Sequence, residues 1–153
     1  MHLSWVSTVA LAAILLTATA CDLFSKRLPG LGRTRRIPAP LTIGGLASGV
    51  TAAALGQGSL TASLVGAGVG LAILAPFVIR GVWGEADALL LATIGAWTTW
   101  QFVLTAAFWA GIAGAAIALV YAVRCLKGKD WRRRVYAYVP AITLGTAIAA
   151  LIS

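Results

Sequence analysis

The stretch LVGAGVGLAILAPFVIRGVWGEADALLLATIGAW (residues 64–97) joins two apolar runs through a short connection that contains Arg80, Glu85 and Asp87. A helix that crosses the hydrocarbon core of a bilayer needs about 20 predominantly apolar residues. Each run approaches that length when it is followed outward along the chain, to 60–80 on one side and to 86–102 on the other. The stretch therefore predicts two antiparallel membrane-spanning helices.

The rest of the chain continues this pattern. Hydrophobic residues make up 60% of the 153 positions and charged residues only 10%, whereas soluble domains contain about 25% charged residues. Segments of membrane length follow one another at 3–22, 40–56, 60–80, 86–102, 104–124 and 136–152. The connections between them are too short for a soluble domain. We predict an all-α integral membrane protein in which residues 1–153 form a single transmembrane domain, a compact bundle of about six helices.

The positive charges predict the orientation of this bundle. The twelve Lys and Arg residues follow the first, third and fifth segments, at Lys26, Arg27, Arg33, Arg35, Arg36, Arg80, Arg124, Lys127, Lys129, Arg132, Arg133 and Arg134. Cytoplasmic loops carry an excess of Lys and Arg, so we expect a multi-pass protein of the inner (plasma) membrane with both termini on the outer side. The net charge of +8 then indicates contact between the basic loops and anionic lipid; a nucleic-acid partner is not expected.

The cysteines and the histidine do not form a metal-binding pattern. Cys21 and Cys125 are far apart in the sequence, and His2 is the single histidine. Without a CxxC pair, a zinc site is not supported, and we expect neither a metal nor a cofactor. Both cysteines fall near the predicted cytoplasmic surface, where reduced thiols are expected.

Two of the four acidic residues are expected to meet. Asp130 lies among cations in a loop and is interpreted as a solvated partner of Arg133 or Arg134. Asp22 ends the first segment, which runs inward, and Asp87 begins the fourth, which runs outward, so both belong at the same depth. An acid at a helix N-terminus stabilises the macrodipole. The macrodipole therefore accounts for Asp87 but not for Asp22, which ends a helix. Acidic residues at the membrane edge indicate a functional role.

The chemistry of such a pair follows from its mutual repulsion. Two carboxylates held close together in a partly dry site share one proton, because both cannot easily ionise. The ionised member can take a proton from an attacking water while the protonated member hydrogen-bonds a peptide carbonyl. Ser–His and Cys–His catalysis are disfavoured because His2 belongs at the opposite face. The residues thus predict aspartyl hydrolysis, and a proton relay in a small transporter remains open.

Three motifs resemble those of the prepilin leader peptidases, membrane aspartyl proteases of the GxGD class. DLFSKRLP (22–29) resembles the first motif of that family, residues 64–97 are similar to its third helix, GxGD motif and fourth helix, and YVPAITLGTAIAAL (138–151) resembles its last helix. The resemblance implies that Asp22 and Asp87 are the catalytic aspartates, supported by Gly84, Glu85 and Ala86. It further implies a short, peptidase-only enzyme that cleaves a prepilin-like precursor after a glycine, at the cytoplasmic face. Such a precursor has a basic leader followed by an apolar helix.

The chain departs from the family pattern at several positions. The motif here is GEAD, so Ala86 replaces a glycine and its Cβ is expected to strain a left-handed or very tight backbone. Leu89 stands where the family often has Lys. The stretch GRTRRIPAPLTIGG (32–45) also resembles the residues after the first aspartate, with Leu31 in the place of the acid. These departures keep open a catalytically inactive relative that serves as a membrane scaffold in pilus assembly.

Glycines and aromatic residues complete the expectations. GGLASG (44–49) and GAGVG (66–70) carry small residues at helical spacing, which indicates close packing of helices and not a nucleotide loop. Trp97, Trp100 and Phe102 are expected at the outer end of the fourth helix, and Trp83 is close enough to Asp87 to line a site. Glu85 is the alternative to Asp87, although side chains two residues apart face different directions on a helix.

Overall fold

The computed structural model describes residues 5–24, 38–81, 83–125 and 138–152. Helices account for nearly all of them: α1 Trp5–Phe24, α2 Ala39–Ala52, α3 Leu60–Ile79, α4 Glu85–Trp97, α5 Trp100–Cys125 and α6 Val139–Ile152. No strand occurs within these ranges. The prediction of an all-helical protein is confirmed, and each helix coincides with one of the predicted segments.

Helix α4 lies at the centre of the packing. It packs mainly against α3 and α2 and also contacts α1 and α5, while α5 and α6 pack against each other. Most of its side chains after the first turn are buried, at Ala88, Leu90, Leu91, Ala92, Thr93, Ile94 and Ala96. A residue in the first turn of α4 is therefore positioned by the most enclosed helix of the bundle.

Close approach of α3 and α4 depends on glycine. A Cβ added at Gly66 would collide with the backbone of Gly95, and a Cβ at Gly95 would collide with the backbone of Gly66. A Cβ at Gly70 would lie 2.6 Å from the carbonyl oxygen of Leu91. Small residues let the two backbones touch, so the predicted packing role of the glycines in GAGVG is confirmed for Gly66 and Gly70.

Helix α2 packs on the opposite side of α4 in the same way. A Cβ at Gly45 would lie 2.9 Å from the Thr93 side chain. The indole N–H of Trp97 donates to the Gly45 carbonyl at 3.0 Å, and the Thr93 hydroxyl donates to the Thr42 carbonyl at 3.1 Å. These polar contacts fix α2 against α4. A Cβ at Gly49 would lie 2.9 Å from the side chains of Ala96 and Trp97, so the predicted packing role is confirmed for Gly45 and Gly49, whereas a Cβ at Gly44 would meet nothing within 4 Å.

Among the residues that the structure describes, two helices are long and apolar enough to cross a membrane: Leu60–Ile79 and Trp100–Val120. Ser7–Leu23 and Val139–Ile152 are apolar but shorter. Large apolar side chains remain exposed along both of the long helices, including Leu64, Phe77, Phe108 and Leu119. Extended apolar surface of this kind is typical of contact with lipid or with another protein.

The boundary between the fourth and fifth segments differs from the prediction. Helix α4 ends at Trp97 and α5 begins at Trp100, so Trp100 and Phe102 belong to α5 and their expected place on the fourth helix is wrong. The Thr98 hydroxyl donates to the Ile94 carbonyl at 2.7 Å, and the Thr99 carbonyl accepts from the N–H of the first turn of α5. Threonine side chains compete for backbone partners and so favour a break in the helix.

Several expectations concern residues outside the described ranges. The basic loops 25–37 and 126–137 lie there, with their expected contacts to anionic lipid, and so do Asp130, His2 and Leu31. Among the cations, Arg80 is described: it is exposed and ends α3.

Candidate active site

The site is built where the end of α1 meets the beginning of α4. Helix α1 contacts both α4 and α6, and the hydroxyls of Thr19 and Thr143 form a hydrogen bond of 2.7 Å that joins α1 to α6. Asp22 follows Thr19 by three residues, so this bond holds the last turn of α1 in place. Asp22 and Asp87 interact electrostatically across the gap between α1 and α4. The structure thus brings together the two acids that the sequence pairs.

Asp22 is buried within the protein. Its side chain is only 7% exposed, and it lies in the last turn of α1. The partial negative charge of a helix C-terminus disfavours an anion there. The carboxyl group of Asp22 is therefore held largely away from water, at a helix end whose dipole disfavours its negative charge.

Asp87 is held by the N-terminus of α4. Gly84 is the N-cap residue, and its carbonyl accepts the N–H of Asp87 at 3.2 Å. In return, the backbone of Gly84 hydrogen-bonds the Asp87 carboxyl group. The carboxyl group of the third helical residue thus reaches back to the backbone of the N-cap, as in one half of a capping box. A Cβ at Gly84 would lie 3.5 Å from the Asp87 Oδ2, an ordinary contact, so the space beside Asp87 does not require glycine.

The environment of Asp87 favours the protonated acid. Asp87 lies outside both of the long apolar helices, in the first turn of α4. Burial first, and the charge of Asp22 second, raise its pKa from 3.8 to about 6, against the opposing effect of the hydrogen bond from Gly84. A carboxyl group with such a pKa can hold a proton or release it close to neutral pH.

The other two motif residues adopt ordinary helical conformations. Glu85 is exposed at the first position of α4, whereas Asp87 is half-buried, so the two acids face different surroundings. Ala86 packs against the hydrophobic core. Within the described residues only Gly56 and Gly81 have positive φ. The expectation that the Cβ of Ala86 would strain the turn is therefore wrong, because the left-handed position is Gly81 and Ala86 lies inside a right-handed helix.

An aromatic stack borders the acids. The ring of Trp83 lies 5.0 Å from that of Phe77 and 4.6 Å from that of Tyr138, measured between centroids. Tyr138, immediately before α6, is half-buried, and its pKa is raised first by burial and then by the charge of Asp87. The expectation that Trp83 lines the site agrees with this placement. The sequence did not single out Tyr138, and its position at the start of an apolar segment was the available signal.

A cavity of about 400 Å³ lies at the other end of the bundle. Its wall includes Ser7, Gln57, Ser59, Trp97 and Gln101. These residues come from the start of α1, the turn after α2, and the junction of α4 with α5. The whole of α4, 13 residues or about 20 Å, separates this cavity from the turn that carries Asp87. The cavity is thus distinct from the acid pair.

Comparison with known proteins gives one match. No curated protein and no solved structure matches the chain. A family model, that of the type IV leader peptidase family, matches residues 32–119. The matched range contains the GEAD turn with Asp87, whereas Asp22 and the motif DLFSKRLP precede it. YVPAITLGTAIAAL (138–151) follows it, so the match includes one of the three motifs, the stretch 64–97. The match extends over more than half of the chain and confirms the family: the chain belongs to the type IV leader peptidase family.

Proposed function

We propose that this chain is a membrane aspartyl endopeptidase that uses Asp22 and Asp87 to cleave the leader of type IV prepilin-like precursors. One observation carries the proposal: in a member of a leader peptidase family, Asp22 and Asp87 come from different helices and interact electrostatically. Two like charges held close together destabilise each other's ionised form, so the pair does not contribute to the packing of α1 against α4.

The proton arrangement supports a division of labour. One member of the pair holds the shared proton and the other is the base, and the pKa of Asp87, raised to about 6, lets it exchange that proton near neutral pH. The ionised member takes a proton from water as the oxygen attacks the scissile carbonyl carbon, and the protonated member donates a hydrogen bond to the carbonyl oxygen. Collapse of the tetrahedral intermediate breaks the C–N bond, and the amine leaves with the proton that the base received. The titration belongs to the pair as a whole.

The substrate we propose is a precursor with a short basic leader that ends in glycine, followed by an apolar helix. Its cleavage site would lie at the end of the bundle that carries the acids, on the cytoplasmic face of the inner membrane. The long apolar helices α3 and α5 support a multi-pass protein. The basic loops would repel a basic leader, so their proposed role is contact with anionic lipid.

Processing of a co-expressed precursor tests this function. We expect Asp22→Asn and Asp87→Asn each to abolish accumulation of the mature product, because asparagine can neither accept a proton from water nor donate one. Asp130→Asn is the matched control, since it makes the same change in a loop acid. Equal processing by wild type and by both site variants would exclude the aspartyl mechanism.

The same experiment separates the peptidase from its two alternatives. A scaffold without catalytic activity yields no mature product even from the wild-type chain, and a proton-coupled transporter likewise leaves the precursor intact. The main structural reason for an inactive scaffold was strain at Ala86, and the helical conformation at that residue removes it.

A further inference from the structure

We propose that Tyr138 is a further catalytic residue, whose hydroxyl donates a hydrogen bond to the scissile carbonyl oxygen beside Asp87. The inference rests on the proposed function and adds a residue that lies outside the matched range 32–119. Tyr138 transfers no proton in this role. It supplies a fixed neutral donor at the oxygen that gains negative charge when water adds to the carbonyl carbon.

The ring of Tyr138 is held in one position by three parts of the fold. Trp83, in the turn between α3 and α4, stacks on it at 4.6 Å between centroids. Gly114 of α5 lies on its edge, and a Cβ there would be 2.5 Å from the ring carbon Cε2. The backbone carbonyl of Tyr138 accepts the N–H groups of Ala141 and Ile142, at 2.9 and 3.2 Å, which ties it to α6. Such a ring loses little conformational freedom when substrate binds.

The turn between α3 and α4 contacts both Tyr138 and Asp87. Trp83, which stacks on the tyrosine, immediately precedes Gly84, which hydrogen-bonds the carboxyl group of Asp87. The charge of Asp87 also contributes to the raised pKa of Tyr138, so the two polar groups lie within electrostatic reach of each other. The phenol therefore stays protonated, and hence a donor, over the whole range in which the acid pair works.

The hydroxyl of Tyr138 is a donor that the described part of the fold does not use. Over the part of the chain that the structure describes, it makes no hydrogen bond with another residue, although the ring is half-buried. A fixed donor aimed at a developing oxyanion is worth far more in a dry site than in water. If the ring served only to fill the space between Trp83 and Gly114, phenylalanine would serve equally well. This difference makes Tyr138→Phe the decisive variant.

The first measurement is steady-state cleavage by the purified full-length chain in lipid bilayers. The substrate is a precursor peptide with a basic leader, a glycine and an apolar helix. We expect Tyr138→Phe to lower kcat about 100-fold, the effect of removing one oxyanion donor, with KM changed by less than about threefold. The matched control is Tyr121→Phe, which removes a phenol hydroxyl elsewhere in the chain. A kcat for Tyr138→Phe equal to that of Tyr121→Phe would overturn the inference.

This outcome is distinguishable from failure of the proposed function. If Asp22→Asn and Asp87→Asn are inactive while Tyr138→Phe is fully active, only the role of Tyr138 is lost. If the two aspartate variants cleave normally, the proposed function is lost.

A second measurement does not depend on activity. Ultraviolet absorbance follows ionisation of the phenols as pH is raised, and the component missing from Tyr138→Phe belongs to Tyr138. We expect this component to titrate above the ordinary phenol pKa of 10.0 and to move downward in Asp87→Asn. An unchanged titration in Asp87→Asn would mean that the two groups are not neighbours, and the inference would fall.

Discussion

A carboxyl group at Asp22 gains nothing from its own helix, whereas Asp87 lies where its helix favours an acid. Asp22 ends α1, and Asp87 is the third residue of α4 with Gly84 as its N-cap. A charge at the favourable helix end is stabilised by about 0.3–1 kcal/mol and one at the unfavourable end is destabilised by a similar amount. Burial exceeds this effect at Asp87, because its pKa still rises to about 6. Asp87 is thus nearly neutral in weak acid and costs the fold free energy once it ionises.

The pH dependence of stability follows from that shift. The folded pKa of Asp87 lies above its unfolded value of 3.8, so its contribution is complete below about pH 4 and is lost as pH rises through about 6. A shift of this size corresponds to roughly 3 kcal/mol. We expect Asp87→Asn, which stays neutral, to be more stable than wild type at pH 8 and nearly equal to it at pH 4. Thermal unfolding in detergent at the two pH values measures the difference.

The control for this prediction is Glu85→Gln. Glu85 is exposed in the same helical turn, so its replacement should leave the difference in unfolding temperature between pH 4 and pH 8 close to that of wild type. A stabilisation by Asp87→Asn that is the same at both pH values would contradict the prediction.

Between elements, the contact of α3 with α4 decides how Asp87 is placed. Gly66 and Gly95 bring the two backbones into direct contact, and Gly70 continues the same surface one turn further along α3. A side chain at this crossing would push α4 outward and move its first turn away from α1. The acid pair therefore depends on residues that lie well away from it.

Alanine at two neighbouring glycines of α3 tests this dependence. We expect Gly66→Ala to destabilise the fold by about 1–3 kcal/mol, the usual cost of overpacking, and to reduce precursor cleavage. Gly68→Ala is the matched control, because a Cβ there meets nothing within 4 Å and alanine favours the helix. Denaturation midpoints of the two variants provide the comparison. Equal midpoints would show that the crossing tolerates a Cβ.

The sequence predicted the positions of the helices better than their boundaries and their contacts with one another. The lengths of the apolar segments were sufficient to locate all six helices. Because successive helices were expected to run in opposite directions, Asp22 and Asp87 were expected at the same depth. The break at Thr98 was missed because hydropathy continues through it. Tyr138 was missed because its stack on Trp83 exists only after distant segments have packed. Contacts that arise from tertiary packing leave little trace in a local pattern.

At the scale of the whole molecule, successive helices run in opposite directions and give the bundle two different ends. One end carries Asp22, Asp87, Trp83 and Tyr138. The other end carries the cavity, lined by hydroxyl, amide and aromatic side chains. From the positive-inside rule we expect the acidic site on the cytoplasmic side and the cavity on the outer side, and this orientation stays a prediction.

Thiol labelling tests that orientation. In a chain whose native cysteines are replaced by serine, we expect a membrane-impermeant reagent to label Gln57→Cys in intact cells and Arg80→Cys only after lysis. Both positions are exposed, at opposite ends of α3. Labelling of Arg80→Cys from outside would reverse the orientation and place the acid pair away from the cytoplasm.

The separation of the cavity from the acids bears on inhibitor design. A compound bound in that cavity would leave both carboxyl groups accessible to a precursor, so it would not be a competitive inhibitor of cleavage. Screening that begins from this cavity would therefore select molecules for the end of the bundle that lies opposite the acids. Peptidomimetics directed at Asp22 and Asp87 are the rational starting point.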